Sequence, residues 1–150
     1  MYKVYFSPGE DCLNTIISKL KQAKKEVKVC VFTISDNRIG SVLRDLHFNG
    51  IDVKIITDND KRFDRGSDIH YLLEKGLNIK IDRTAAHMHN KFAVIDDEIT
   101  ITGSYNWTVS AEEVNYENII VTDQQDITKA FIKEFDKLWD KFEQLELDHK

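Results

Sequence analysis

Apolar spacing switches repeatedly along this chain, between runs of adjacent β-branched residues and residues set three and four apart. EVKVCVF (26–32) and IDVKIIT (51–57) are the Val- and Ile-rich runs of strands. Between them Ile39, Val42, Leu43 and Leu46 keep helical spacing, with Asp36 or Asn37 as the cap and Gly50 as the stop. The same alternation recurs on both sides. YKVYF (2–6) predicts a strand, SPGE (7–10) a capping box with Pro8 at the first helical position, and Leu13, Ile16, Ile17 and Leu20 the helix behind it. After the third strand, Ser67 or Asp68 starts a short helix through Ile69, Leu72 and Leu73, which Gly76 closes. LNIKID (77–82), KFAVID (91–96), ITIT (99–102) and YENIIV (116–121) then predict strands, with a turn at Asp97-Glu98. A last helix over about 126–145 buries Phe131, Phe135, Leu138, Trp139, Phe142 and Leu145. On it Lys129, Lys133, Lys137 and Lys141 form a row that interleaved Asp136, Asp140 and Glu143 mark as a solvated face. Such a pattern demands an α/β domain with a mixed sheet between helices.

With 150 residues, 41% of them hydrophobic, one domain over 1–150 is expected, and no repeat or linker divides it. No apolar run reaches the roughly 18 residues of a membrane span, and MYKVYFSPGE lacks the apolar core of a signal peptide. A cytoplasmic protein without stable membrane insertion is expected, with export the alternative if a leader precedes this sequence. Cys12 and Cys30 lie in apolar patterns and read as reduced core residues. The net charge of −5 argues against a polyanionic partner only until it is divided by segment. Residues 111–150 carry eleven carboxylates against five Lys and Arg, so the rest of the chain is close to neutral and nucleic acid is not excluded.

The stretch HMHNKFAVIDDEITITGSYNW (87–107) carries the polar groups with the clearest chemistry. His89 and Lys91 stand two apart at a strand, so their side chains leave the same face, and Ser104 and Asn106 stand two apart just past the next strand. If the strands pair as a hairpin, the four groups meet. A nucleophilic imidazole, an ammonium and two neutral donors suit a phosphate, and nothing in the set requires a metal or another cofactor.

His89, Lys91, Asp96, Gly103, Ser104 and Asn106 spell H-x-K-x4-D-x6-G-S-x-N, which resembles the HKD signature of the phospholipase D superfamily. The order of strands and helices over essentially the whole chain is similar to that family's half-domain. The short G-S-x-N ending departs from the G-S-x-x-N of the large phospholipases and is similar to the small single-motif members, Nuc-like endonucleases and mitochondrial cardiolipin hydrolases. Those members also carry a Glu eleven residues after the Asn, the place that Glu117 occupies.

The resemblance implies a mixed β-sheet flanked by helices on both faces and a metal-independent phosphodiesterase with His89, Lys91, Ser104, Asn106, Glu117 and Asp96 as its catalytic set. One His attacks phosphorus to give a phosphohistidine, a second protonates the leaving oxygen, and water then reverses the roles. An imidazole titrating near ~6.5 serves as neutral nucleophile or charged acid, but not as both at once. Glu117 is expected to hold the Nδ1 proton of His89, leaving Nε2 to attack. This chain has one H-x-K, so either another histidine is the acid or two chains pair about a twofold axis. The resemblance favours the homodimer.

The expected substrate is DNA or RNA, cleaved internally. A phosphatidyl ester such as cardiolipin is the alternative, although the sequence shows neither the anchor nor the exposed apolar surface that lipid work usually needs. A nucleic-acid-binding module that cleaves nothing is the third reading. Around the motif, His87 with His89 and Asp96, Asp97 and Glu98 forms an alternative metal set. Asp96 lies five residues beyond Lys91, which leaves a role at the strand end open to it. Tyr105 and Trp107 flank Asn106 and either stack on a base or pack in the core. Lys61, Arg62, Arg65 and Arg83 either guide a polyanion or belong to a solvated loop that Asp58, Asp60 and Asp64 neutralise.

Overall fold

The computed structural model describes residues 1–58 and 67–147. Its elements run β1 (Tyr2–Phe6), α1 (Asp11–Lys21), β2 (Glu26–Val31), α2 (Asn37–Phe48), β3 (Asp52–Asp58), α3 (Ile69–Glu74) and β4 (Asn78–Asp82). They continue with β5 (Lys91–Ile95), β6 (Ile99–Gly103), α4 (Val109–Glu113), β7 (Asn118–Thr122), α5 (Gln125–Lys141) and β8 (Glu143–Gln144). The strands form one sheet in the order β1-β7-β6-β5-β2-β3-β4-β8. Strands β2, β3 and β4 pair in parallel, because α2 and α3 carry the chain back between them, whereas β5 and β6 form a hairpin.

Helices cover both faces, as expected. On one face α1 and α2 bury Cys12, Leu13, Ile16, Leu20, Ile39 and Leu43 against Val29, Ile55 and Ala93. On the other, α5 sets Phe135 against Cys30, Ile56, Phe92 and Val94. A fully buried Phe of this kind costs about 3–5 kcal/mol to truncate to Ala. The two cysteines are free and buried, one in each core.

Two local expectations are corrected, and one element was not expected. Helix α1 starts at Asp11 with Glu10 as its N-cap, so SPGE is not its capping box. Ser7 instead turns its hydroxyl across to the segment that enters β7, where it donates to the carbonyl of Asn115 (3.0 Å) and accepts from the N–H of Glu117 (3.2 Å). Helix α5 ends at Lys141, and residues 143–144 pair with β4 as β8. The pairing gives the edge of β4 partners, and Leu145 crosses to the core of the opposite face, its N–H on the carbonyl of Ile79 (2.8 Å). Lastly, α4 was not legible as a helix. It is one short turn capped by Thr108, whose hydroxyl accepts from the N–H of Ala111 (3.1 Å).

Candidate active site

Five neighbouring strands end at the same edge of the sheet, and the motif residues gather there. Strand β5 begins there, with His89 just ahead of it and Lys91 as its first residue, while β6 leaves there into Ser104–Trp107 and β7 enters there just after Glu117. Strand β2 ends there and runs on into Phe32 and Thr33, and β3 ends there in Asp58. The chain past β2 ties the neighbours together. The N–H of Phe32 donates to the carbonyl of Asn90 (2.9 Å), and the N–H of Thr33 donates to Oδ1 of Asn106 (3.2 Å). The expected convergence of His89, Lys91, Ser104 and Asn106 therefore has its physical basis in hairpin register plus the β2 exit loop.

Hydrogen-bond roles sort these side chains. Ser104 is exposed, and its Oγ accepts from the N–H of Asn118 (3.1 Å), which leaves its O–H to donate. Asn106 spends its carbonyl oxygen on Thr33, so the amide NH2 is its remaining donor half. Both neutral groups therefore present hydrogen atoms, which is what phosphate oxygens accept. Gly103 makes the junction possible, since a Cβ there would lie 2.1 Å from the carbonyl oxygen of Asn118. No side chain fits between β6 and β7 at that point.

Lys91 Nζ lies 2.9 Å from Nδ1 of His89 and 2.7 Å from the carbonyl oxygen of His89, with the Phe32 ring 5.6 Å away. Burial lowers the Lys91 ammonium from its ordinary value, and the Glu117 carboxylate opposes that fall. Glu117 thus acts electrostatically on the site. Its segment is set by Ser7, which also donates its backbone N–H to the carbonyl of Glu117 (3.0 Å), and Asn115 Nδ2 reaches Oε2 of Glu117 at 3.5 Å. The His89 ring lies 4.5 Å from the ring of Phe32, tilted by 47°. With the Lys91 ammonium donating to Nδ1, the hydrogen of a neutral His89 belongs on Nε2.

Asp96 is placed apart from this cluster, at the far end of β5, about 16 Å along the strand from Lys91. There its carboxylate accepts from the backbone N–H groups of Lys24 (2.9 Å), Lys25 (2.8 Å) and Glu26 (3.0 Å). Partial burial works to raise its pKa, but the three N–H bonds prevail and hold it below the ordinary carboxylate value. Asp96 and Asp97 both take the left-handed conformation (φ 54° and 56°) of a tight turn, closed by the N–H of Glu98 on the carbonyl of Ile95 (3.0 Å). Asp97 pairs with Lys28 at 2.8 Å. The length of β5 thus separates His87 and His89 from Asp96, Asp97 and Glu98, and the alternative metal set does not assemble. Among the described residues, no other group of His, Cys, Asp and Glu is arranged to hold an ion.

Two further expectations give way. Tyr105 and Trp107 are buried, at 1% and 2% exposure, and offer no face to a base. The segment after β6 is extended, so Ser104 and Asn106 point outward while Tyr105 and Trp107 point inward. Arg83 is engaged by Glu143 at 2.7 Å beside β8. Lys61, Arg62 and Arg65, with Asp60 and Asp64, lie outside the described residues.

Three features were not legible in advance. Ser7 is the tether of Glu117. Asp58, buried at the end of β3, accepts the N–H of Met88 at Oδ2 (3.0 Å) and lies 3.5 Å from Nδ1 of His87 through the same oxygen. An exposed apolar strip also runs along β1 and β7 on the side that α5 leaves uncovered, made of Tyr2, Val4, Phe6 and Ile120. Fully exposed Tyr116 stands at its active-site end, beside Glu117. The sequence expectation of no exposed apolar surface is thereby corrected, while among the described residues no helix is long and apolar enough to cross a membrane.

Comparison with known proteins places this geometry. The profile of the family described as "Cardiolipin synthase, PLD-like domain" matches residues 16–139. Mitochondrial cardiolipin hydrolase of Chlamydomonas reinhardtii is 41% identical over 137 residues, which are 91% of this chain and 61% of the relative. The chain spans between 53% and 66% of the length of such curated relatives. Among solved structures, Nuc from Salmonella typhimurium, a phospholipase D family member, superposes with a TM-score of 0.91 at 23% identity over 98% of this chain and 99% of Nuc. NucT from Helicobacter pylori superposes with a TM-score of 0.87 at 26% identity, over 97% of this chain and 99% of NucT.

Proposed function

Because the chain belongs to the phospholipase D-like family, we propose that it is a metal-independent phosphodiesterase in which His89 attacks phosphorus, and that it cleaves nucleic acid as a twofold homodimer. The observation that carries this reading is the set of donors at one sheet end: Lys91 Nζ within hydrogen-bond distance of His89, beside Ser104 and Asn106 whose acceptor atoms are already occupied.

A phosphodiester entering the site carries a full negative charge, which makes it a far better acceptor for the Lys91 ammonium than an imidazole nitrogen is. Lys91 then leaves Nδ1 of His89, and Glu117 becomes the acceptor for a proton on that nitrogen. The hydrogen moves from Nε2 to Nδ1 through solvent, and Nε2 is left with the lone pair that attacks. As the oxygens around phosphorus gain charge in the transition state, Lys91, the Ser104 hydroxyl and the Asn106 amide donate to them. The leaving oxygen takes its proton from His89 of a second chain, and water later reverses both transfers.

A second reading has its own support. The apolar strip ending at Tyr116 and Phe6 suits contact with acyl chains, and the relatives named as cardiolipin hydrolases share up to 41% of their aligned residues with this chain. Incubating the protein in EDTA with labelled single-stranded DNA, duplex DNA, RNA and cardiolipin vesicles distinguishes the two. Cleavage of a nucleic acid that persists in EDTA and vanishes in His89→Ala is the expected result. Turnover of cardiolipin alone selects the second reading, and activity restored only by Mg2+ or Zn2+ overturns the mechanism.

A further inference from the structure

A second histidine stands at the same sheet end with a partner of its own. His87 and His89 flank Met88, whose side chain is buried at 4% exposure and whose N–H is held by Asp58. Both histidines therefore project outward, their Cα atoms at most about 7 Å apart. Both rings border one aromatic face, with Phe32 4.5 Å from His89 and 5.9 Å from His87, edge to face. The His87 side chain is 59% exposed, whereas its Asp58 partner is 3% exposed. A buried carboxylate on Nδ1 orients the ring and turns Nε2 toward solvent. Among the described residues that nitrogen has no hydrogen-bond partner.

We infer that His87, oriented by Asp58, binds the phosphodiester next to the one that is cleaved. The inference rests on the phosphodiesterase reading and names the substrate class for it: a chain in which two phosphodiesters are joined through three carbons. A nucleic-acid strand has that connection through the sugar, and cardiolipin has it through its central glycerol. With one phosphate at His89 and Lys91, the six-bond link to the next phosphorus matches the short step from His89 to His87. As that phosphate arrives, Nε2 takes a proton from solvent, and the imidazolium lies between two anions, Asp58 and the ligand.

The test compares substrates with one and two diesters: a dinucleoside monophosphate against a trinucleoside diphosphate, and phosphatidylglycerol against cardiolipin in mixed micelles. Whichever pair the wild type turns over identifies the source of the diester. His87→Ala lowers kcat/KM about tenfold on the two-diester member, the worth of one charge-assisted contact, and less than twofold on the one-diester member. His87→Gln, which retains an uncharged donor, recovers part of the loss and guards against a folding effect of leaving Asp58 alone. An equal loss on both members, or no loss on either, overturns the inference. If the wild type turns over none of the four, the phosphodiesterase reading fails, and fluorescence anisotropy with labelled di- and trinucleotide decides. Weaker binding by His87→Ala confined to the trinucleotide supports the phosphate site, and unchanged or uniformly changed affinity refutes it.

Discussion

Replacing Asp96 by Asn separates what this motif residue does for the fold from what the signature associates with catalysis. Asn tolerates the left-handed conformation at φ 54°, so the turn survives and the carboxylate alone is tested. Of the three N–H groups, those of Lys25 and Glu26 share Oδ1 and that of Lys24 takes Oδ2. An Asn keeps two of these bonds in uncharged form, each weaker by about 1 kcal/mol, and sets an NH2 against the third N–H. That sums to roughly 3 kcal/mol, and the site's partial exposure brings it down to ~2 kcal/mol. For a chain of this size the melting temperature should fall by roughly 4–8 °C.

The pH dependence has a definite sign. Asp96 is held below its ordinary value in the folded state. It therefore contributes stability above the unfolded pKa of ~3.9 and loses it as pH falls through the folded value. Urea unfolding at pH 7 should show the full deficit of the variant, which closes progressively below pH ~4. Turnover at 25 °C should stay within about twofold of wild type, since ~16 Å of strand separates Asp96 from Lys91. A variant as stable as wild type but more than tenfold slower would refute the placement of Asp96 outside the reaction.

Lys91→Ala removes the ammonium that balances charge at phosphorus and should cost ~3–4 kcal/mol, roughly 10²–10³ in kcat, while substrate binding persists; His89→Ala should cost more, which single-turnover kinetics will read directly. Tyr105→Phe deletes a buried hydroxyl with no hydrogen-bond partner among the described residues and should raise stability by up to ~1–2 kcal/mol in urea titration, with substrate affinity unchanged. Weaker nucleic-acid binding by that variant would restore Tyr105 to the substrate face. Light scattering at assay concentration should find a dimer, and a fully active monomer would place the leaving-group acid within one chain.

Much of this protein is determined by its sequence alone, and the reason is local. Strand and helix spacing depend on neighbours within a few residues, so β2, α2, β3 and the β5–β6 hairpin could be drawn from Val, Ile and Leu positions. The hairpin brings His89 and Lys91 to the level of Ser104 and Asn106 without reference to the rest of the chain, which is why those four were legible. Parity within an extended segment left Tyr105 and Trp107 with two alternatives, and only the core behind them decided for burial. What tertiary structure alone decided are the contacts between segments remote in sequence. Asp96 finds the N–H groups of residues 24–26, Ser7 finds residues 115–117, and Leu145 finds β4 across the sheet edge. The pairing of Asp58 with His87 is of the same kind, because the side-by-side arrangement of β2, β3 and β5 brings them together and no spacing along the chain encodes it.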